Sequence, residues 1–178
     1  DSTMHRFSIK VRFTEDLLGT VSKNQEVYAT YIGSKAQPDK DVTDEMDTVP
    51  KIEDIGTGFH MLDGKPILYD YQVKGFFKDA ISMLRRDSDS LSSTLKAHKK
   101  VVDGMVFVHP RRIAIQLPKN GTMAVLDRPL RASTPQGERI ALARSDTCPA
   151  GSTIEFTVSV IGTEMTTALL RELLDYGK

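Results

Sequence analysis

Tryptophan is absent, cysteine occurs once, the charges cancel and no long apolar run exists, and each shortage closes a class of explanation. The single thiol, Cys148, excludes an internal disulfide and any zinc site made from several cysteines, and it fits a reducing cytoplasm. It precedes Pro149 in a turn before a strand, where no activating base can be inferred, so it reads as structural. No segment approaches the roughly 18 apolar residues of a membrane span, and no secretory pattern is visible, so a membrane is not an expected partner. The histidines His5, His60, His98 and His109 match no metal-binding spacing, and neither a nucleophile elbow nor a phosphate-cradling glycine loop is present. Gly56-Thr57-Gly58 reads as a bend. No metal, no cofactor and no catalytic residue is assigned.

The 24 basic and 24 acidic side chains are unevenly spread. Asp39–Asp54 is acidic (Asp39, Asp41, Asp44, Glu45, Asp47, Glu53, Asp54) without the spacing of a calcium loop, and reads as a solvated loop. Leu95–Arg144 reverses the sign. Lys96, Lys99 and Lys100 fall on one side of a candidate helix, and Arg111 and Arg112 flank a strand junction. Arg128, Arg131, Arg139 and Arg144 surround an arm that contains proline and glycine. Guanidinium forks pair with phosphate oxygens, so these side chains are candidate nucleic-acid contacts; ion pairing with the acidic half is the competing reading. Lys74, Gly75 and Lys78 join them. Lys74-Gly75-Phe76-Phe77-Lys78-Asp79-Ala80 is expected to open a helix with a small residue where another backbone, or that of a nucleic acid, has room to approach. Phe76 and Phe77 read as core, Tyr69 and Tyr71 sit at a strand-to-helix junction, and no exposed aromatic for base stacking stands out.

Periodicity supplies the elements. His5–Phe13 alternates, with Phe7, Ile9, Val11 and Phe13 on one face, which predicts a strand with one buried side. Gln25–Ala36 reads as a short helix capped by Asn24. Gln37–Ile55 reads as a loop with a helical turn near Asp44. Gly58–Leu62 and Pro66–Tyr69 flank Asp63-Gly64, a hairpin signal. Tyr71–Arg86 follows as an amphipathic helix capped by Asp70, with Val73, Phe76, Phe77, Ala80, Ile81 and Leu84 at helical spacing. Asp87–Ser93 reads as polar and mobile, and Leu95–Val102 as helical. Gly104–Val108, Arg112–Leu117 and Met123–Leu126 read as strands, Arg128–Arg139 as an irregular hairpin or arm, and Ile140–Ala143 as a short apolar run. Pro149-Ala150-Gly151-Ser152 turns into the alternating strand Thr153–Ile161, and Glu164–Asp175 closes as a helix burying Leu169, Leu170, Leu173 and Leu174. The order predicts an α+β fold with an antiparallel sheet. The 178 residues are expected to form one domain, with insertions over about 37–57 and 119–144, starting naturally at Met4 and continuing beyond Lys178.

Two segments carry a resemblance. Pro66-Ile67-Leu68-Tyr69-Asp70-Tyr71-Gln72-Val73-Lys74-Gly75-Phe76-Phe77-Lys78-Asp79-Ala80 resembles the strand-to-helix junction of the RAMP superfamily, the repeat-associated RNA-binding proteins of CRISPR effector complexes. Pro149-Ala150-Gly151-Ser152-Thr153-Ile154-Glu155-Phe156 resembles that family's turn before a late strand, and the closing helix with Tyr176-Gly177 resembles the run-up to its glycine-rich loop. Across its length the chain also resembles a group of phage and prophage proteins of Gram-positive bacteria, including the segments Arg128-Pro129-Leu130-Arg131-Ala132 and Thr134-Pro135-Gln136-Gly137-Glu138-Arg139. The resemblance implies a ferredoxin-like (RRM-like) antiparallel sheet backed by helices, with inserted loops and a basic arm. It also implies a place in the bacterial host cytoplasm.

The expectation that follows is a phage-encoded, non-enzymatic protein that binds single-stranded RNA or DNA, RNA above all. Lys74 would meet a phosphate, Gly75 would allow close approach, and the arginines of the arm would line a groove. An interaction protein that blocks a host defence complex is the first alternative. A metal-independent ribonuclease using His98 or His109 as base is the second. A head-to-tail homo-oligomer is compatible with this fold.

Overall fold

Alternation at the start of the chain and helical spacing near its middle and end produce the elements they predict. The computed structural model describes residues 4–35, 47–49 and 56–177. Most of the acidic stretch, and the helical turn expected near Asp44, lie outside the described residues. In chain order the elements are β1 Met4–Arg12, β2 Leu17–Leu18, β3 Val21–Ser22, α1 Gln25–Lys35, β4 Thr57–Gly58, β5 His60–Leu62 and β6 Lys65–Tyr69. Then come α2 Asp70–Leu84, a 3-10 turn Leu91–Thr94, α3 His98–Met105, β7 Val106–His109 and β8 Arg112–Ala114. The chain closes with β9 Ala124–Thr134, β10 Gly137–Cys148, β11 Thr153–Ile161 and α4 Thr167–Tyr176. This is an α+β protein. Among the described residues the strands form three sheets rather than one: β1-β11-β7, β2-β10-β4-β3 with β9 beside β10, and β5-β6-β8. Pairing is not antiparallel throughout, because β10 and β4 run parallel through Ser145 and Thr57.

The chain divides into two compact units, with boundaries inside β1, β6, β8 and β11. The first, called the helical unit here, holds residues 4–10, 69–113 and 155–177. Its sheet β1-β11-β7 turns Val106, Val108, Phe156, Val158 and Val160 inward. Helix α2 packs on β7, α3 and α4, and buries Val73, Phe77, Ala80 and Ile81. Each of these larger side chains is worth about 1.5–3 kcal/mol once removed from water. Asp70 is not the cap of α2. Tyr69 holds that position, and its N–H donates to Gln72 Oε1 at 2.8 Å, because the extended end of β6 delivers Tyr69 directly to the helix. Asp70 becomes the first helical residue, where its carboxylate faces the positive end of the helix. Phe76 is 36 % exposed, one residue off the buried stripe.

Asp87–Ser93 is polar because its polar groups are used. Ser90 Oγ donates to the Leu84 carbonyl at 2.7 Å and to that of Asp87 at 2.9 Å. Glu172 of α4 accepts from the Leu91 and Ser92 N–H groups and from Ser92 Oγ at 2.7, 3.0 and 2.6 Å. Helix α3 starts later than expected, at His98 after Ala97 with φ 49°, and takes in Gly104.

The second unit, called the ribbon unit here, holds described residues within 11–68 and 114–154. Asn24 caps α1, its Oδ1 accepting from the Glu26 and Val27 N–H groups at 3.0 and 3.2 Å. Asp63 and Gly64, both at positive φ, make the two-residue turn between β5 and β6. The segment expected to be irregular is the most regular in the protein. Strands β9 and β10 pair antiparallel through eleven rungs from Gly137↔Thr134 to Thr147↔Ala124. Pro129 sits within β9, and the tip is Pro135-Gln136 with Gly137 at φ 114°. Gly56 is a bend, as expected, but Thr57-Gly58 forms β4, and a side chain on Gly19 would collide with the Gly58 backbone.

Candidate nucleic-acid interface

The strand Val106-Phe107-Val108-His109 buries both valines, so Phe107 and His109 project from the opposite face of the sheet. Ser159 pairs with Phe107 and Thr157 with His109. Across the face, β1 adds Met4 and Arg6, both exposed. Together these six side chains line an open depression of about 390 Å³. It holds one half-buried aromatic ring, one imidazole, one guanidinium and two hydroxyls. Lys74 reaches it from α2: its Nζ stands 5.7 Å from the centre of the Phe107 ring and donates to the Asp103 carbonyl at 3.2 Å. A flat ring flanked by cations is what a stacked base with its phosphate requires. The sequence offers His109 only as a candidate base, and it does not mark Phe107 or Arg6 as contacts. The available signal was a phenylalanine on the non-core parity of a valine-rich strand.

The expected contacts scatter. Lys74 and Lys78 lie one turn apart on α2, and Lys78 forms an ion pair with the Asp103 carboxylate. Lys74-Gly75 does not open the helix but lies in its second turn, since α2 begins at Asp70. Beyond its own helix backbone and chain neighbours, no atom of the described residues comes within 4 Å of where a Gly75 side chain would start, so no close approach there requires glycine. Lys99 and Lys100 are exposed on α3, while Lys96 precedes the helix and does not share its face. Arg111 stacks over Tyr69 at 5.8 Å, and Tyr69 stacks on Tyr71 at 5.4 Å. Arg112 is half-buried in β8.

In the ribbon unit the four arginines do not line one groove, because opposed residues of an antiparallel pair share a face and neighbours along a strand do not. Arg131, opposite Ile140, and Arg144, opposite Asp127, project from one face. Arg128, opposite Ala143, and Arg139, opposite Ala132, project from the other. The first face is neutralised. Arg144 holds Asp127 through two bonds of 2.9 and 3.2 Å, a hydrogen bond that keeps the Asp127 carboxyl below its ordinary range. Arg131 stands 3.9 Å from Glu138. On the second face Arg139 bonds uncharged Gln136, at 3.1 Å.

The two histidines considered as bases differ sharply. His109 is exposed at the end of β7. His98 bridges two helices: Arg85 Nη1 lies 2.8 Å from Nδ1 and Ser82 Oγ 2.8 Å from Nε2. A guanidinium only donates, so Nδ1 accepts, the ring proton sits on Nε2, and Ser82 passes its own proton to the Lys78 carbonyl at 2.8 Å. The only lone pair of that neutral ring is occupied. Burial, then the nearby Arg85 and Lys99 charges, lower its pKa. Cys148 is fully buried, and burial followed by the Asp146 carboxylate pushes its thiol up to about 11. Among the described residues no three histidine, cysteine or carboxylate side chains gather into a metal-holding group, and no helix is long and apolar enough to cross a membrane.

No protein-family model matches the chain, and no curated protein matches it.

Proposed function

We propose that this is a non-enzymatic protein that binds single-stranded nucleic acid, RNA above all, on the open face of the sheet β1-β11-β7. The observation that carries the reading is Phe107, half-buried on that face with Arg6 and His109 around the same depression and Lys74 beside its ring. A base stacks on the ring, the cations take the phosphates, and the hydroxyls of Thr157 and Ser159 offer partners for base edges or a ribose 2′-OH. The sheet order supports a ferredoxin-like reading of the helical unit. The order β1-β11-β7 sets the first strand beside the third and the third beside the second, with α2 after the first strand and α4 after the third. Arg128 and Arg139, on the ribbon face where no carboxylate among the described residues pairs with them, are the arm residues best suited to a second phosphate contact.

The test is anisotropy with a labelled single-stranded RNA of mixed sequence over a salt series. Phe107→Ala should weaken binding about 5- to 150-fold, the cost of one lost stack of about 1–3 kcal/mol. Lys74→Ala should lower the salt slope by about 0.7, as one phosphate contact does on a single strand. No binding at low salt, or binding that neither variant changes, refutes the proposal.

A further inference from the structure

The ribbon exposes aliphatic side chains on both faces. On the face shared by Arg131 and Arg144, Ile140 is 65 % and Leu142 63 % exposed. An isolated two-stranded ribbon is only marginally stable in water, and contiguous apolar surface of this kind marks a contact site. Phosphate is the wrong occupant for this face, since Arg144 is held by Asp127 and Arg131 stands by Glu138. What the face offers is an apolar strip between charges of opposite sign. Its central rung is Leu142 opposite Pro129. Two rungs toward the tip lies Ile140 opposite Arg131, and two rungs toward the base lies Arg144 opposite Asp127.

We propose that this face seats the same face of a second copy of the chain, about a twofold axis through the Leu142–Pro129 rung. An axis lying between two stacked ribbons, perpendicular to their strands, exchanges tip and base while keeping β9 over β9 and β10 over β10. Leu142 then meets Leu142 of the second copy. Arg131 meets Asp127 of the second copy, and Asp127 meets its Arg131, so the contact is complementary to itself as a twofold interface must be. Ile140 lies against the aliphatic stem of Arg144. The face is small: eight rungs from Asp127–Arg144 to the tip span about 26 Å at about 3.3 Å per residue. Two such faces bury less than the roughly 1,000 Å² of a lasting complex. The dimer is therefore weak and reversible.

The test is symmetric cross-linking. Leu142→Cys places a thiol on the axis, and the native Cys148 does not interfere because it is fully buried. Under mild oxidation the Leu142→Cys protein, stripped of nucleic acid, should form disulfide-linked dimer at least tenfold faster than Met83→Cys, an exposed control on α2. Sedimentation of the native chain should show a mass that rises with concentration, and Leu142→Lys should abolish that rise with an unchanged melting temperature. A strictly monomeric native chain, equal cross-linking in the two cysteine variants, or self-association that survives Leu142→Lys each overturns the twofold. So does a Leu142→Lys chain that stays monomeric but loses RNA affinity, which would assign the face to nucleic acid.

Discussion

The helical unit fills its interior with Phe77, Ile81, Val102, Val106, Val158 and Leu173, whereas the ribbon unit encloses Lys23, Thr48, His60, Ser145, Thr147 and Cys148. The first interior is held by area removed from water and tolerates small errors of position. The second also buries apolar side chains, Phe59, Ile67 and Ile115 among them, and adds polar groups that depend on partners. Lys23 Nζ bonds Asp146 at 2.7 Å, with 4 % and 15 % of the two side chains exposed. Thr57 Oγ1 donates to the Gly19 carbonyl at 2.7 Å and lies 2.9 Å from Ser145 Oγ. His60 lies between Thr48 Oγ1 at 2.9 Å and Tyr28 OH at 3.3 Å. A buried polar group left without its partner costs far more than a lost methylene, so single substitutions should separate the two units by size of effect.

The largest effect is expected at the ribbon's root. Asp146→Ala leaves Lys23 buried and uncompensated, at a cost of about 3–5 kcal/mol, measurable from the urea midpoint. Hydrogen exchange should then quicken in β9 and β10 before α2. Uniform quickening would mean the two interiors are not separately supported. Next comes acid. Burial lowers the His60 pKa from 6.5 to about 4. The unfolded chain takes up that proton near pH 6.5 and the folded chain only near pH 4. Stability is therefore complete above pH 6.5 and drains away between 6.5 and 4, by up to about 3 kcal/mol. Urea unfolding of His60→Gln across that window should show a flatter profile than the native chain; parallel profiles would remove His60 from the account.

In the helical unit the expected effects are smaller. Burial would raise the Glu172 carboxyl, but hydrogen bonds from Ser92 and from the Leu91 and Ser92 N–H groups lower it on balance. Glu172→Gln should cost about 1–2 kcal/mol, read as a lower melting temperature. A neutral result would mean the 3-10 turn is held by its own serines. The smallest effect belongs to the Lys10–Glu155 pair on the open sheet face, 2.8 Å apart and with both side chains more than half exposed. Lys10→Met should change stability by less than about 1 kcal/mol, and a larger loss in the same urea assay would show that this face is less open than its exposure indicates.

The difference between the units also explains what the sequence revealed. Strand β11 and helices α2 and α4 announce themselves because burial on one face imposes a period on Phe156, Val158 and Val160 or on Leu169, Leu170 and Leu173. Asn24 and Asp63-Gly64 were legible because capping and tight turns are decided by one or two residues. The ribbon is legible as a hairpin or arm but not in its length or regularity, because exposure on both faces imposes no period and Pro129 looks like a break. The polar interior left no trace, since Lys23 and Asp146 are joined only by folding. Of the candidate site, Lys74 was foreseen and Phe107 was not. A phenylalanine between two valines looks like core until the alternation decides which face each one takes.

Cys148 turns the ribbon's root into its own reporter. The only thiol in the chain lies fully enclosed beside Asp146 and stays protonated well above neutral pH. A thiol-specific reagent can reach it only in molecules that have transiently opened. Its labelling rate in the unmodified protein is thus a clock for the opening of β10, readable without any added probe, and the same clock would slow when a ligand or a second copy settles on the ribbon.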